Sequence, residues 1–198
     1  KDKKKPKEKK KNNKLKILFA GNIGEAQSFE TMVKCAKSLK KINIIEWIVV
    51  GDGRWKKELE SSIKLNNLED DFQLINSVPL NKINKYFNCA DALYLSLKNN
   101  KTFKKTIPGK LQTYMSTGKP IIASISGEAK KIINKAKCGF VSNAENHKLL
   151  KKNIIKFAKL NYKQRKKLGM NGKKFSNIFF SKKKIIKNLE NEIKLMLN

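Results

Sequence analysis

Six short, almost wholly apolar runs, each followed by a turn or a helix-like segment, constrain this chain more than any other feature. They are KLKILFA (14–20), INIIEWIVV (42–50), FQLI (72–75), ALYLSL (92–97), residues 120–124 and CGFV (138–141). Between them lie segments with helical spacing. Residues 28–40 place Phe29, Met32, Val33, Ala36 and Leu39 on one face, with Ser28 in position to cap the start. Helical spacing also precedes Leu65 and recurs in NKINKYFNCA (81–90), about 108–117 and Glu128–Lys137, and helices fill the remainder. A strand that is apolar on both faces has to be covered on both. The spacing therefore predicts an α/β fold: one parallel sheet of about six strands with helices on both faces. In such sheets ligands bind outside the carboxyl ends of the strands, and Gly21, Gly24, Gly51 and Gly53 fall there.

Residues 1–13, KDKKKPKEKKKNN, have nothing to bury and read as a disordered lysine-rich arm or linker. A formal net charge of +30 raises the question of a polyanionic partner. Lysine is nevertheless spread along the whole chain, Arg54 and Arg165 are the only arginines, and the aromatic residues sit mostly inside apolar runs. Nucleic-acid readers use arginine forks and aromatic platforms, so nucleic acid is disfavoured. Attraction to an anionic membrane surface stays open. Cys35, Cys89 and Cys138 form no CxxC or metal spacing and read as buried free thiols in a reducing compartment. No apolar run approaches the ~20 residues of a membrane span.

The available chemistry is narrow. His147 is the single histidine and reads as a surface or helix-start residue, so no triad can be built. No HExxH or paired-aspartate pattern suggests a metal. GNIGEAQ (21–27) is a glycine turn between strand and helix, neither a nicotinamide fingerprint nor a Walker loop. It is a weak phosphate signal, and a tight turn explains it equally well. Pro108-Gly109-Lys110 is sharper. Proline suits a first helical turn, glycine lets a ligand approach the backbone, and Lys110 adds a full charge where the helix dipole already favours an anion. Gly118-Lys119-Pro120 then reads as a helix stop.

In order and spacing, ILFAGNIGEAQSFETMVKCAKSL, WIVVGDGRWKKELE, YFNCADALYLSL, TIPGKLQTYMSTGKPIIAS and GEAKKIINKAKCGFV resemble the C-terminal half of family-4 glycosyltransferases of the GT-B fold. The branch most resembled is the bacterial one that builds O-antigen and capsule sugars and includes L-fucosamine transferases. The resemblance covers about residues 15–180. It implies a Rossmann-like domain (14–180) that binds a nucleotide-sugar, UDP-linked in the first instance. It also implies retention of anomeric configuration, no metal or other cofactor, and a cytoplasmic location at the inner membrane face. A lipid-linked glycan acceptor would be held by an N-terminal domain not contained in these residues. Residues 181–198 would be a helix crossing to that domain. Ile185, Leu189, Ile193 and Leu197, with Ile186 and Met196 beside them, form its apolar stripe.

The chain departs from the family pattern at several places. Where the family has two glutamates separated by seven residues, it has Lys105 and Thr113. Where many relatives have an arginine and a lysine after the first strand, it has Asn22 and Gln27. The resemblance thus implies that Lys110 replaces the missing cations and stabilises charge growing on the leaving nucleoside diphosphate. Gly21, Asn22, Gly24, Gln27, Pro108 and Gly109 would surround the diphosphate, with the glycine turn contributing N–H groups. Gln112 or Thr113 would take the ribose, and Val78 in the Ser77–Pro79 loop would border the base. Two other readings stay open: a degenerate homologue acting only as a binding module, and a basic nucleic-acid or membrane-surface protein.

Overall fold

The computed structural model describes residues 14–197. The leading arm, and the last residue of the predicted C-terminal helix, lie outside that range. Six strands form one parallel sheet: β1 (Leu15–Ala20), β2 (Ile45–Val50), β3 (Phe72–Ile75), β4 (Ala92–Ser96), β5 (Ile121–Ser124) and β6 (Gly139–Ser142), in the order β3-β2-β1-β4-β5-β6. The central strands alternate between two cores. Ile17 and Phe19 of β1 join Trp47, Val49, Tyr94 and Ile122 on one face, while Leu18 joins Ile48, Leu93 and Ile121 on the other. That two-sided burial is why the strands read as continuous apolar runs.

The first core is covered by α1 (Phe29–Leu39), α2 (Lys56–Leu65) and α7 (His147–Ala158). The second is covered by α3 (Leu80–Cys89), α5 (Gly109–Ser116) and α6 (Glu128–Ala136). A short α4 (Lys101–Lys105) precedes α5 and was not foreseen. The Asn100 side chain starts it, accepting from the Thr102 N–H at 2.7 Å. Gly118 follows α5 at φ +72, as expected of a helix stop.

The second strand starts three residues later than its apolar run, because Asn43 turns the chain at φ +53. Ser28 stands at the start of α1, but its side chain does not cap it. Its hydroxyl is hydrogen-bonded to that of Thr31 at 2.8 Å, and its own backbone is left-handed. Cys35 and Cys138 are buried, and burial pushes both thiols up to about 12, whereas Cys89 is exposed at the end of α3. The expectation of three buried thiols is thus corrected at Cys89, which falls on the outer side of its helix.

Two further helices close the chain, α8 (Tyr162–Phe179) and α9 (Lys182–Leu197). α8 begins with a reciprocal cap between Asn161 and Gln164. It runs beneath the amino ends of the strands. A Cβ on Gly169 would overlap the Gly118 carbonyl ahead of β5, Asn171 donates to the Lys137 carbonyl ahead of β6 at 3.0 Å, and Arg165 lies 3.9 Å from Asp91 ahead of β4. α9 leaves Ile185, Ile186, Leu189 and Ile193 exposed.

Candidate functional site

The loops at the carboxyl ends of β1 and β2 are packed backbone against backbone. Gly21, Gly51 and Gly53 all have positive φ, and a Cβ on Gly51 or Gly53 would overlap the carbonyls of Gly21 or Ile23. Any side chain there would force the loops apart. Hydrogen bonds lock the arrangement: Gly21 N–H donates to Val50 at 2.9 Å, Ile23 N–H to Asp52 at 2.8 Å and Trp55 N–H to Ile23 at 3.0 Å. Gly24 N–H donates to the Gln27 Oε1 at 3.0 Å. The turn was expected to offer its N–H groups to a ligand. Between Gly21 and Gly24, only the Asn22 N–H lacks a partner among the described residues.

Across from this turn stands the start of α5. Pro108 precedes its first residue in an extended conformation, and no side chain caps the helix, so the Gly109 and Lys110 N–H groups have no partner among the described residues, while that of Leu111 donates to the Pro108 carbonyl at 2.9 Å. The Tyr114 hydroxyl ties α5 to the end of β1, accepting from Ala20 N–H at 2.9 Å and lying 3.3 Å from the Ala20 carbonyl. Lys110 is thereby laid against the turn. Its Nζ sits 3.7 Å from the centroid of the Phe19 ring, and a Cβ on Gly21 would come within 2.9 Å of it. The missing side chain at Gly21 therefore makes room for the ammonium. Among the described residues Lys110 has no carboxylate partner and no side-chain hydrogen bond. Burial without a counter-ion pulls it down to about 8.

A cavity of about 490 Å3 opens beside Lys110. Val50, Val78, Leu80, Ile83 and Phe87 give it an apolar lining, and Asn22, Asp52, Ser77, Lys110 and Thr113 a polar one. Of the residues singled out by sequence, Gly21, Asn22, Val78, Lys110 and Thr113 line it. Gly24 and Gln27 line a neighbouring groove with Glu25, Arg54, Trp55 and Glu58, and Asn22 is shared between the two. Pro108, Gly109 and Gln112 line neither. Space around Gly109 is open, so the fold does not itself require glycine there. The Thr113 hydroxyl is turned to its own helix, 3.3 Å from the Gly109 carbonyl.

Three contributions were missed. Among the described residues Asp52 is the only carboxylate lining the cavity, and one of its oxygens accepts from Gly53 N–H at 2.8 Å. Its place between two strand-end glycines was the available signal. Ile83 and Phe87 form the apolar wall one helical turn apart, a spacing that sequence alone cannot separate from ordinary core. Leu80 is 88 % exposed at the cavity mouth. Among the described residues no three His, Cys, Asp or Glu side chains gather into a metal-binding group.

The lining can hold a ligand that carries both an anionic group, for Lys110, and an apolar one, for the α3 side chains. Comparison with known proteins gives the chain a family. Residues 1–175 match the sequence model described as glycosyl transferases group 1. A 2-deoxystreptamine N-acetyl-D-glucosaminyltransferase of Niallia circulans is 30% identical over 112 residues, covering 56% of this chain and 28% of that protein. The C-terminal domain of the group 1 glycosyl transferase LpcC from Francisella tularensis superposes with a TM-score of 0.70 at 19% identity, covering 85% of this chain and 87% of that one. HepE of Anabaena, solved with UDP-glucose, superposes with a TM-score of 0.75 at 16% identity, covering 92% of this chain and 49% of that one. The chain thus spans little more than a quarter of the Niallia protein and about half of the HepE chain. This chain belongs to the glycosyl transferases of group 1, and its fold is that of the C-terminal domain of a GT-B enzyme.

Proposed function

We propose that the cavity beside Lys110 binds the nucleoside diphosphate part of a UDP-sugar, and that this chain is the donor-binding part of a retaining, metal-independent glycosyltransferase of cell-surface polysaccharide synthesis. The observation that carries this reading is Lys110 itself: a half-buried ammonium without a counter-ion, at the uncapped start of α5 and in the polar lining of a partly apolar cavity. A diphosphate supplies the charge this lysine lacks and also takes the free N–H groups of the helix start. The base lies against Val78, Ile83 and Phe87, and the ribose falls between, within reach of Asp52 and Thr113. As the bond to the sugar breaks, negative charge grows on the terminal phosphate. Lys110 and the helix start stabilise it in place of a metal.

The acceptor, a lipid-linked glycan at the cytoplasmic face of the membrane, is held by a part of the enzyme outside these residues. That part also covers the exposed stripe of α9. Calorimetric titration with UDP, UDP-glucose and UDP-N-acetylglucosamine, with GDP as control, tests the reading. UDP ligands should bind wild type and lose at least tenfold in affinity on Lys110→Ala. Equal binding by the two proteins, or none by wild type, overturns it.

A binding module without transfer is a second reading, favoured by Lys105 and Thr113 standing where the family carries glutamates. Donor binding by an enzyme that, with its acceptor-binding part present, transfers no sugar would select it.

A further inference from the structure

We propose that the outer face of α8 is a docking surface for anionic phospholipid membranes. The general lysine excess does not explain this face. Residues 14–145 carry 22 Lys and Arg against 12 Asp and Glu, whereas residues 146–189 carry 15 against none. A compositional drift toward lysine adds positive charge everywhere; it does not clear the carboxylates from 44 consecutive residues.

The fold turns that stretch into a ridge. Lys163, Lys166, Lys167, Lys173 and Lys174 are all exposed, and their spacings of three, four and seven put them on one side of α8. Lys148, Lys152 and Lys156 are also exposed on α7, which leads into α8 through the exposed Lys159. Not one lysine of this set appears in an ion pair among the described residues. The opposite side of α8 is fixed to the domain through Gly169, Gly172 and Arg165, so the ridge is rigid. α8 also passes beneath the amino ends of the strands, away from the cavity at their carboxyl ends.

Two observations favour a lipid surface over nucleic acid. Met170 and Ile178 stand exposed among the lysines, at 49% and 40%, and present aliphatic chains that can enter the interface. The one arginine of the segment is turned inward, its guanidinium donating to the Ala158 carbonyl at 3.0 Å and stacked on Phe157 at 5.0 Å. The ridge therefore offers point charges and aliphatic groups, without the forks and aromatic platforms by which bases are read.

Vesicle flotation with the 198-residue chain tests the proposal. Wild type should bind vesicles of equal parts phosphatidylglycerol and phosphatidylcholine and release with salt, and should not bind phosphatidylcholine alone. Changing the five α8 lysines to Gln should weaken binding at least tenfold, since each lysine near such a surface contributes severalfold. Five matched changes in the leading arm, at Lys3, Lys4, Lys5, Lys7 and Lys9, should matter far less. Both variants should keep wild-type melting and UDP affinity, and Lys166→Gln/Lys167→Gln alone should give a smaller loss of the same sign. Met170→Ser/Ile178→Ser should weaken vesicle binding and leave oligouridylate binding unchanged. Equal losses from ridge and arm overturn the proposal in favour of diffuse charge. Tighter binding to oligouridylate than to the anionic vesicles assigns the ridge to nucleic acid instead.

Discussion

The carboxyl edge of the sheet and the helices that end the chain are built on opposite terms. At the carboxyl edge, backbone meets backbone, glycines hold conformations that side chains resist, and charges of both signs surround a cavity. Along α7 and α8, regular helices project lysine after lysine with no carboxylate between. The first region has one cation whose surroundings make it special; the second has many whose surroundings do not. A lysine's consequence here depends on its solvent and its neighbours, not on its frequency in the chain.

Backbone changes should separate the regions most widely. Gly51→Ala places a Cβ against the Gly21 carbonyl at a φ of +155. It should lower stability by about 3 kcal/mol or more and abolish UDP binding. Gly109→Ala, in open space at the same edge, should leave melting unchanged. A tolerated Gly51→Ala would show that the two loops can part, and that the cavity is softer than its packing implies.

Next in size is Lys110→Ala, which should weaken UDP binding by about 1.5–3 kcal/mol, the range of a charge-assisted contact. Lys166→Ala should leave it unchanged. Equal effects in calorimetry would erase the distinction between the regions.

The same lysine predicts a pH dependence. Burial lowers Lys110 to about 8 in the ligand-free chain, whereas a bound diphosphate would raise it. UDP binding should therefore take up a proton near and above pH 8, and affinity should fall as pH rises, by up to about tenfold per unit while the free enzyme alone is deprotonated. Binding enthalpies measured in buffers of different ionisation heat report the uptake. For folding the sign is opposite to that of a stabilising ion pair. The unfolded chain holds its proton to a higher pH, so the penalty for the buried ammonium is full below 8. It is relieved as pH rises from there toward the ordinary lysine range.

Tyr114→Phe should cost about 1–2 kcal/mol, since it strips the buried partner from the Ala20 N–H. Thermal melting measures it, and a neutral result would mean that packing alone holds α5 on β1. Smallest of all should be the loss from deleting residues 181–198. α9 touches the domain chiefly through α8 and leaves its apolar side chains exposed. A large fall in melting temperature would make α9 part of this domain after all.

Much of the scaffold was legible because it depends on local pattern. Strands buried on both faces announce themselves as short apolar runs, and the glycine and proline around Lys110 mark a helix start whatever lies nearby. The cavity was legible mostly through its polar lining, with Val78 the one apolar lining residue foreseen. Its apolar wall comes from Ile83 and Phe87, whose spacing fits a core helix equally well. Asp52 becomes a lining residue only when β1 and β2 bring their loops together. α4 was missed because five residues carry too little periodicity, and its start depends on one side-chain hydrogen bond from Asn100. The ridge on α8 was hidden for a different reason. A net charge of +30 drew attention to where the lysines are, and the information lay in where the carboxylates are not.

The Tyr114 hydroxyl has a consequence in time as well as space. It joins positions 94 residues apart, and loop closure over such a separation slows folding. β1 can pair with β2 as soon as residues 45–50 are available, yet the floor of the cavity cannot close until α5 has been made and docked. A chain emerging from the ribosome therefore carries its glycine turn through the making of about 85 further residues with no Lys110 beside it. A nucleotide can reward the finished domain but cannot hasten its first half.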